Sequence, residues 1–419
     1  MKVILDISWL GYDETRVGLW RAIESLAVRL ARHPGCDVRF SAHKSRTVVN
    51  RTRRYLTSHP LLPGESLIGQ RMIQAVHRGM EARLAAMNAS ASRGIAFRAV
   101  RRVARWGVRS LEQVEPLRRE DLTGTDVFHS PCFPLPDVTR RVPGLKRVLT
   151  VYDLIPIRYP QYCGPNAPAR IRAILDCLDP SDGVICHSVA TKKDLMAYRG
   201  DIPAERVSVI PLAAEECFKP ASVEAVRTVR KRYGLPEGPY VLTVSRIEPR
   251  KNIDLVVRAY RRLVEQQNSK DLSLVLCGSS ERDRSKLDEA IRECGPVAPR
   301  IIQIGHVPDD DLAPLYSGAL AFVYPSFCEG FGLPPLEAMQ CGTPVIASNA
   351  TSLPEVVGDA GILLDPTDED GLCRAVLDLY RNEGLRRDMS RKSLARAGRF
   401  HWNRTVQDTV AAYEKVMRS

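Results

Sequence analysis

Apolar runs of strand length alternate with helix-patterned segments along the whole chain, and they do so in two consecutive series. The first opens with KVILDI at residues 2–7, a Gly-containing turn, and a stretch from Leu19 to Leu30 in which Trp20, Ile23, Leu26, Ala27 and Leu30 recur at helical spacing. Val38 to Ser41, Val127 to His129, Arg147 to Val151, Val184 to Cys186 and Val207 to Ile210 read as further strands, with helical stretches near 67–88, 169–178 and 190–198. The second series follows Pro211: Leu212 to Pro220 reads as a linker, TVRKRYGL closes a helix, Tyr240 to Val244 is a strand and Ile253 to Gln267 a helix. Leu272 to Cys277, Ile301 to Ile304, Ala321 to Tyr324, Pro344 to Ala347 and Gly361 to Leu364 continue the rhythm. Parallel strands need crossover segments, so this alternation predicts parallel sheets covered by helices on both faces. A single core seldom grows past about 250 to 300 residues. The 419-residue chain is therefore read as two Rossmann-like α/β domains, residues 1–211 and 212–399, with a last helix in 400–419 packing back on the first. Phe400 and Trp402 before that helix read as packing anchors.

Ligands of open parallel sheets sit beyond the strand C-termini, so the loops there are the ones to search. The densest is CEGFGLPPLEAMQCGTPVIAS, residues 328–348. Gly330 and Gly332 free the backbone after a strand, and Pro334 and Pro335 suit a helix's first turn, where an N–H is not needed. The amides of Phe331, Gly332 and Leu333 then face whatever lies before the helix, a place that favours phosphate; a glycine turn that merely starts a helix is the plainer alternative. Glu329 and Glu337 flank the same position. Two carboxylates beside an anion site make sense when they hold neutral hydroxyls, which points to a nucleotide sugar rather than ATP with magnesium. In SRIEPRKN, residues 245–252, Arg246 and Lys251 bring a planar fork and a point charge to one diphosphate, with Arg250 a competitor for that role.

Asp309, Asp310 and Asp311 look like a metal cluster but suit the first turn of a helix better. No HExxH, GxSxG or GxxxxGK[ST] pattern occurs, so no metal is expected and hydrolase and P-loop readings lose their support. In the first domain Gly18 lies between the first strand and helix, and TVYDLIPIRYP (150–160) carries Tyr152 and Asp153 at a strand tip. Asp153 either orients a ligand hydroxyl or orders its own loop. His129 and Ser188 also stand at strand ends, Ser188 equally as a helix cap.

Charge adds a second signal. The formal net charge of +12 comes almost wholly from residues 1–121, which hold 22 Lys or Arg against 11 Asp or Glu. Residues 93–109, RGIAFRAVRRVARWGVR, read as a basic amphipathic helix able to rest on an anionic leaflet; a helix packed on its own domain is the alternative, and nucleic acid is disfavoured for want of a recognition motif. Eleven cysteines without a CxxC suit a reducing compartment. Asp6 interrupts the first apolar run, and no stretch of 18 apolar residues occurs. A cytoplasmic protein, peripheral on the inner face of the cytoplasmic membrane, is expected.

Taken together, SRIEPRKN, TVYDLIPIRYP and the run from GHVPDDDLAPLY through CEGFGLPPLEAMQCGTPVIAS to GILLDP resemble the retaining glycosyltransferases of family 4, which have the GT-B fold of two Rossmann-like domains facing across a cleft. The resemblance implies that Glu329 contacts the donor hexose, Glu337 the nucleotide ribose, and Arg246 and Lys251 the diphosphate. Val307, in the GHVPDDD run, joins the donor-binding set, and Gly18 falls where the first loop approaches donor and acceptor, with Arg16 in place of a glycine often seen there. Tyr152 stands where many members have His before Asp. That variant resembles bacterial polysaccharide mannosyltransferases, many using GDP-mannose, and implies a glycan or polyprenyl-linked saccharide as acceptor. Tyr152 is no neutral-pH base at an ordinary pKa of about 10. A phosphorylase or synthase on the same scaffold, or a membrane-peripheral scaffold without turnover, are the alternatives.

Overall fold

Twelve strands form two all-parallel sheets of six in the computed structural model, which describes residues 1–13, 18–62, 67–68, 71–89, 100–106, 108, 117–266, 269, 271–279 and 283–418. The first sheet holds β1 (Lys2–Asp6), β2 (Asp37–Ser41), β3 (Val127–Ser130), β4 (Lys146–Val151), β5 (Gly183–Cys186) and β6 (Val207–Val209), in the order β2-β1-β3-β4-β5-β6. The second holds β7 (Tyr240–Val244), β8 (Ser273–Cys277), β9 (Ile301–Gly305), β10 (Ala321–Tyr324), β11 (Val345–Ser348) and β12 (Ile362–Leu364), in the order β12-β11-β10-β7-β8-β9. Every residue of β3, β5, β8, β10 and β11 is buried, the mark of strands covered on both faces. In each sheet the chain builds one flank and then returns to the middle to build the other. The reversals fall between β1 and β3 and between β7 and β10, the positions where loops leaving in opposite directions form a crevice in open parallel sheets.

The helix Arg46–Ser58 is absent from the sequence reading. Five of its thirteen residues being Arg or Tyr obscures the apolar face, yet Ser45 caps it by accepting from the Val48 amide (3.2 Å), and Val48, Val49, Thr52 and Leu56 are buried. Leu212 to Pro220 carries no helix or strand, as a linker should, but it is not an exposed tether: Leu212 and Phe218 are buried, and Phe218 meets Tyr316 edge-on at 6.0 Å. The last helix, Trp402–Arg418, crosses to the first sheet. Its Thr405 hydroxyl donates to the Pro211 carbonyl (2.8 Å) and its Tyr413 Oη meets His129 Nδ1 at 2.6 Å. Trp402 is buried with the Arg29 guanidinium 5.4 Å over its ring, an anchor rather than a ligand platform.

Candidate functional site

The crevice beyond β7 and β10 gathers charge. After β7 the chain makes a short turn, Pro249–Lys251, stopped by Asn252 in a left-handed conformation (φ 56°) whose side-chain amide donates to the Pro325 and Pro366 carbonyls (3.2 and 2.6 Å). This pins the turn against the loop after β10. Lys251 Nζ donates to Tyr324 Oη (2.6 Å) and Glu329 Oε1 (2.5 Å), while Arg250 reaches Glu329 Oε2 (3.0 Å) and Glu248 (2.7 Å). The Ser326 hydroxyl adds a third donor to Glu329 at 2.7 Å. Burial pushes the Glu329 carboxyl up, but the Arg250 and Lys251 charges outweigh it and hold the group at about 2. Burial and the neighbouring Arg250 charge bring Lys251 down to about 8. Arg246 lies outside this cluster, exposed, with no ion pair or side-chain hydrogen bond among the described residues. The guanidinium that shares Glu329 with Lys251 is thus Arg250, which competes with Arg246 for that role in the sequence.

The loop between Glu329 and the helix Leu333–Gln340 is shaped by two glycines. Gly332 caps the helix at φ 119°, open to glycine at little cost. A Cβ on Gly330 would fall 2.4 Å from the Tyr152 carbonyl oxygen and 2.9 Å from Asp153 Cβ, so only glycine lets this loop approach the first domain. The Ser352 hydroxyl holds the loop through the Glu329 and Phe331 carbonyls (3.0 and 2.8 Å). The Phe331 ring is buried edge-on to Phe400 and Val307 is buried within the core, which leaves their backbone to meet a ligand, while Leu333 is half-buried against the core.

Glu337 is not tied to Glu329. Its Oε1 accepts from Arg21 of the first-domain helix Leu19–Leu30 (2.7 Å) and its Oε2 from Tyr316 (3.1 Å), and Arg21 also pairs with Asp309 at 2.9 Å. Burial opposes the charge on Arg21, yet Glu337 and Asp309 hold it above the usual arginine range, while burial raises the Glu337 carboxyl. Nothing near Arg21 in sequence signals this role. Gly18 begins the same helix at φ 51° with open space around it; the Thr15, Arg16 and Val17 positions lie outside the described residues. Asp309, Asp310 and Asp311 form the first turn of Asp309–Ser317, Asp311 being held by Arg232 (2.5 Å). No group of three or more potential metal ligands exists among the described residues.

From the first domain, β4 delivers Tyr152 and Asp153. Asp153 Oδ1 accepts from the Ile155 amide (3.0 Å), ordering its own loop, and burial raises its carboxyl against the pull of Arg250. The Tyr152 ring lies 4.7 Å from His187, and burial pushes its phenol well above 10, so it is no base near neutral pH. His187, which no motif in the sequence marks, is bonded through Nδ1 to the Ile210 carbonyl (2.8 Å) and lowered to about 4 by burial. His129, lowered by burial, bridges Tyr413 and Thr150 and is structural. Ser188 caps the helix Val189–Tyr198 and donates to the Gly330 carbonyl (2.8 Å). Glu355 of the second domain accepts from the first two amides of that helix (2.7 and 2.8 Å), and Tyr162 stacks on Phe327 at 5.5 Å. The two domains therefore meet along one edge of the cleft through hydrogen bonds at the Gly330 carbonyl and at Glu355 and through a ring stack.

Comparison with known proteins matches the family described as Glycosyl transferases group 1 over residues 226–396. O-antigen chain mannosyltransferase B of Escherichia coli is 34% identical over 290 residues, 69% of this chain and 74% of the relative. The serotype-specific mannosyltransferase WbdA of Escherichia coli is 31% identical over 278 residues, 65% of this chain but 34% of WbdA, so the match spans about a third of that longer protein. Among solved structures, a glycosyltransferase from Rickettsia africae superposes with a TM-score of 0.68 at 15% identity, covering 100% of this chain and 99% of its own.

Proposed function

The chain belongs to the group 1 glycosyl transferases, with their GT-B fold, and from that premise we propose that it transfers mannose from GDP-mannose to a saccharide hydroxyl in surface-polysaccharide synthesis, with retention at the anomeric carbon. Family membership makes it a nucleotide-sugar glycosyltransferase. The observation that carries the finer reading is the Lys251–Glu329–Arg250 cluster at the reversal of the second sheet. Glu329 and Glu248 balance two of the cations, and exposed Arg246 is left to complete the charge that a diphosphate needs. The relatives' names favour mannose, and GDP follows from the resemblance of the Tyr152 variant to bacterial mannosyltransferases that use GDP-mannose.

In this mechanism the bond from the anomeric carbon to the diphosphate breaks as the acceptor oxygen attacks from the same face, and the acceptor proton passes to the departing phosphate oxygen. Arg246 and Lys251 stabilise the growing negative charge without a metal. Glu329 stays ionised and accepts from hexose hydroxyls; Glu337 serves the ribose after Arg21 yields one oxygen. Asp153 orders the loop facing the sugar, and the amides at Phe331, Gly332 and Leu333 face the phosphates. The first domain takes the acceptor.

Purified protein is titrated against a panel of nucleotide sugars and assayed for transfer with and without chelator. GDP-mannose binding, chelator-insensitive transfer with retained configuration, and loss of both in Glu329→Ala and Lys251→Ala support the reading. Near-full transfer by both variants overturns it. Release of sugar phosphate would instead mark a phosphorylase, and absence of donor-dependent nucleotide release a scaffold.

The acceptor is proposed to be lipid-linked and met at the cytoplasmic leaflet. A helix over residues 100–106 exposes Val100, Val103 and Trp106 (56, 66 and 70%) beside Arg101, Arg102 and Arg105, an arrangement suited to an anionic membrane surface. The rest of residues 93–109, apart from Val108, lies outside the described residues. No described helix is long and apolar enough to cross a membrane. Equal sedimentation with neutral and anionic vesicles at low salt would remove this element alone.

A further inference from the structure

The reversal of the first sheet, between β1 and β3, opens a second crevice, and its lining is aromatic. Trp9 and Tyr12 lie on the short helix Ser8–Tyr12 that follows β1, and Phe133 lies on the loop that follows β3. Their rings pack within 5.3 to 5.8 Å of one another, Phe133 edge-on to Tyr12. Tyr12 is 45% exposed and Trp9 half-buried, so part of this aromatic surface faces outward. The Trp9 indole N–H is buried and meets no acceptor among the described residues, unusual for a group that normally finds one. Lys44, after β2, stands at the rim with its ammonium 5.3 Å over the Phe133 ring.

A buried polar pair braces the three loops behind the rings. Asp6 at the end of β1 accepts from the Ser8 hydroxyl (2.7 Å) and from His43 Nδ1 (3.0 Å), and His43 Nε2 reaches the Pro134 carbonyl (3.1 Å). The loops after β1, β2 and β3 are thereby joined through one imidazole. The crevice also leads to the charged site. β3 and β4 are paired neighbours, so the loop carrying Phe133 leaves the sheet beside the one carrying Asp153, and Asp153 in turn packs against Gly330, next to Glu329. The order across the cleft runs from the cations through Asp153 to the aromatic rings.

We infer that the crevice walled by Trp9, Tyr12 and Phe133 is a saccharide subsite that receives a pyranose ring of the acceptor. An apolar ring face suits the C–H face of a sugar, and an indole N–H without a partner suits a sugar hydroxyl. Its position at the sheet reversal, on the far side of Asp153 from the diphosphate-binding cations, sets it on the acceptor side of transfer. The inference rests on the reading that the chain transfers to a saccharide.

The test uses Trp9→Leu and Tyr12→Leu in the full chain; the exposed Tyr12 position keeps the test valid if Trp9→Leu folds poorly. Binding of disaccharides ending in mannose, glucose, galactose or N-acetylglucosamine is followed by tryptophan fluorescence and calorimetry. GDP-mannose binding and the acceptor KM and kcat are measured alongside. At least one disaccharide should bind, each variant should weaken it and raise the acceptor KM by about fivefold to tenfold, and donor affinity should stay unchanged. Unchanged acceptor KM and disaccharide affinity in a variant that still binds donor overturns the subsite and leaves the proposed function intact. Failure of the wild type to bind or use any nucleotide sugar overturns the function, and this inference with it.

Discussion

The two sheets reverse direction in the same way, yet their crevices carry opposite chemistry. Beyond β7 and β10 stand Lys251, Arg250 and Glu329, ion-paired and nearly buried, with Arg246 exposed outside the cluster. Beyond β1 and β3 the lining is Trp9, Tyr12 and Phe133, and the charged pair present, Asp6 with His43, is turned to bracing loops. Topology supplies the place and loops supply the function. A charged crevice suits phosphates and an aromatic one suits a neutral ring, which is the contrast expected if donor and acceptor bind in separate halves as proposed.

The largest effect that tests this division comes from Lys251. Lys251→Ala removes the cation proposed to meet the leaving group, and on that reading kcat/KM for transfer should fall by about 10² to 10³, as for loss of an oxyanion donor. Disaccharide binding at the other crevice should not change. A loss shared by both binding steps, read by calorimetry, would break the separation of the two sites.

Arg21 tests the place where the halves touch. Arg21→Met leaves Glu337 buried with Tyr316 as its remaining donor. Removing one partner of a fully buried pair costs about 3 to 5 kcal/mol; with Tyr316 retained and protonation of Glu337 available, about 2 kcal/mol is expected from chemical denaturation. The sign with pH follows from burial, which raises the Glu337 carboxyl. A carboxyl with a raised folded-state pKa is penalised while ionised, so the cost in the variant should be full at pH 8 and shrink toward pH 5. A deficit independent of pH would show that Arg21 acts through packing on Phe218, over which it lies at 5.5 Å.

The two crevices also differ in how far the sequence reveals them. The alternation of apolar runs predicts both sheets, since strand after strand of the observed fold coincides with a run read from the chain. The charged crevice is built from two short contiguous stretches, residues 245–252 and 328–337, so its chemistry lies together in sequence. Even there the pairing of Arg250 with Glu329 depends on the backbone turn that Asn252 stops, and no spacing rule shows which arginine turns inward. The aromatic crevice draws two rings from the segment after β1 and one from the loop after β3, with Tyr12 and Phe133 over a hundred positions apart, and only the β1–β3 pairing brings them together. Arg21 and Glu355 escape for the same reason, since each acts on a partner more than 150 residues away.

Lys251 gives a smaller, continuous test. Burial and Arg250 lower it to about 8, with Glu329 and Tyr324 its hydrogen-bond partners. A diphosphate arriving beside it favours the ammonium and raises that pKa. Donor affinity should be constant below about pH 8 and fall by up to about tenfold per pH unit above it, whereas disaccharide affinity should show no such break. A flat donor profile from pH 6.5 to 9.5, by calorimetry, would place the phosphates away from Lys251.

The smallest effect belongs to Glu355, which joins the halves without entering either crevice. Its carboxylate takes the first two amides of the helix Val189–Tyr198, acting as a helix cap supplied by the opposite domain. In Glu355→Ala those amides regain water once the domains part, so the loss should be about 1 kcal/mol, the ordinary worth of a cap. Because the bond exists only while the cleft edge is shut, the variant should scatter as a more open particle without ligand, and donor should restore the closed form. Ser188, Thr191 and the Gly330 carbonyl would still meet, which bounds the opening. Identical scattering and stability in the variant would mean that the edge is held by Gly330 and the Tyr162–Phe327 stack alone, and that the two crevices are aligned by packing rather than by this exchanged carboxylate.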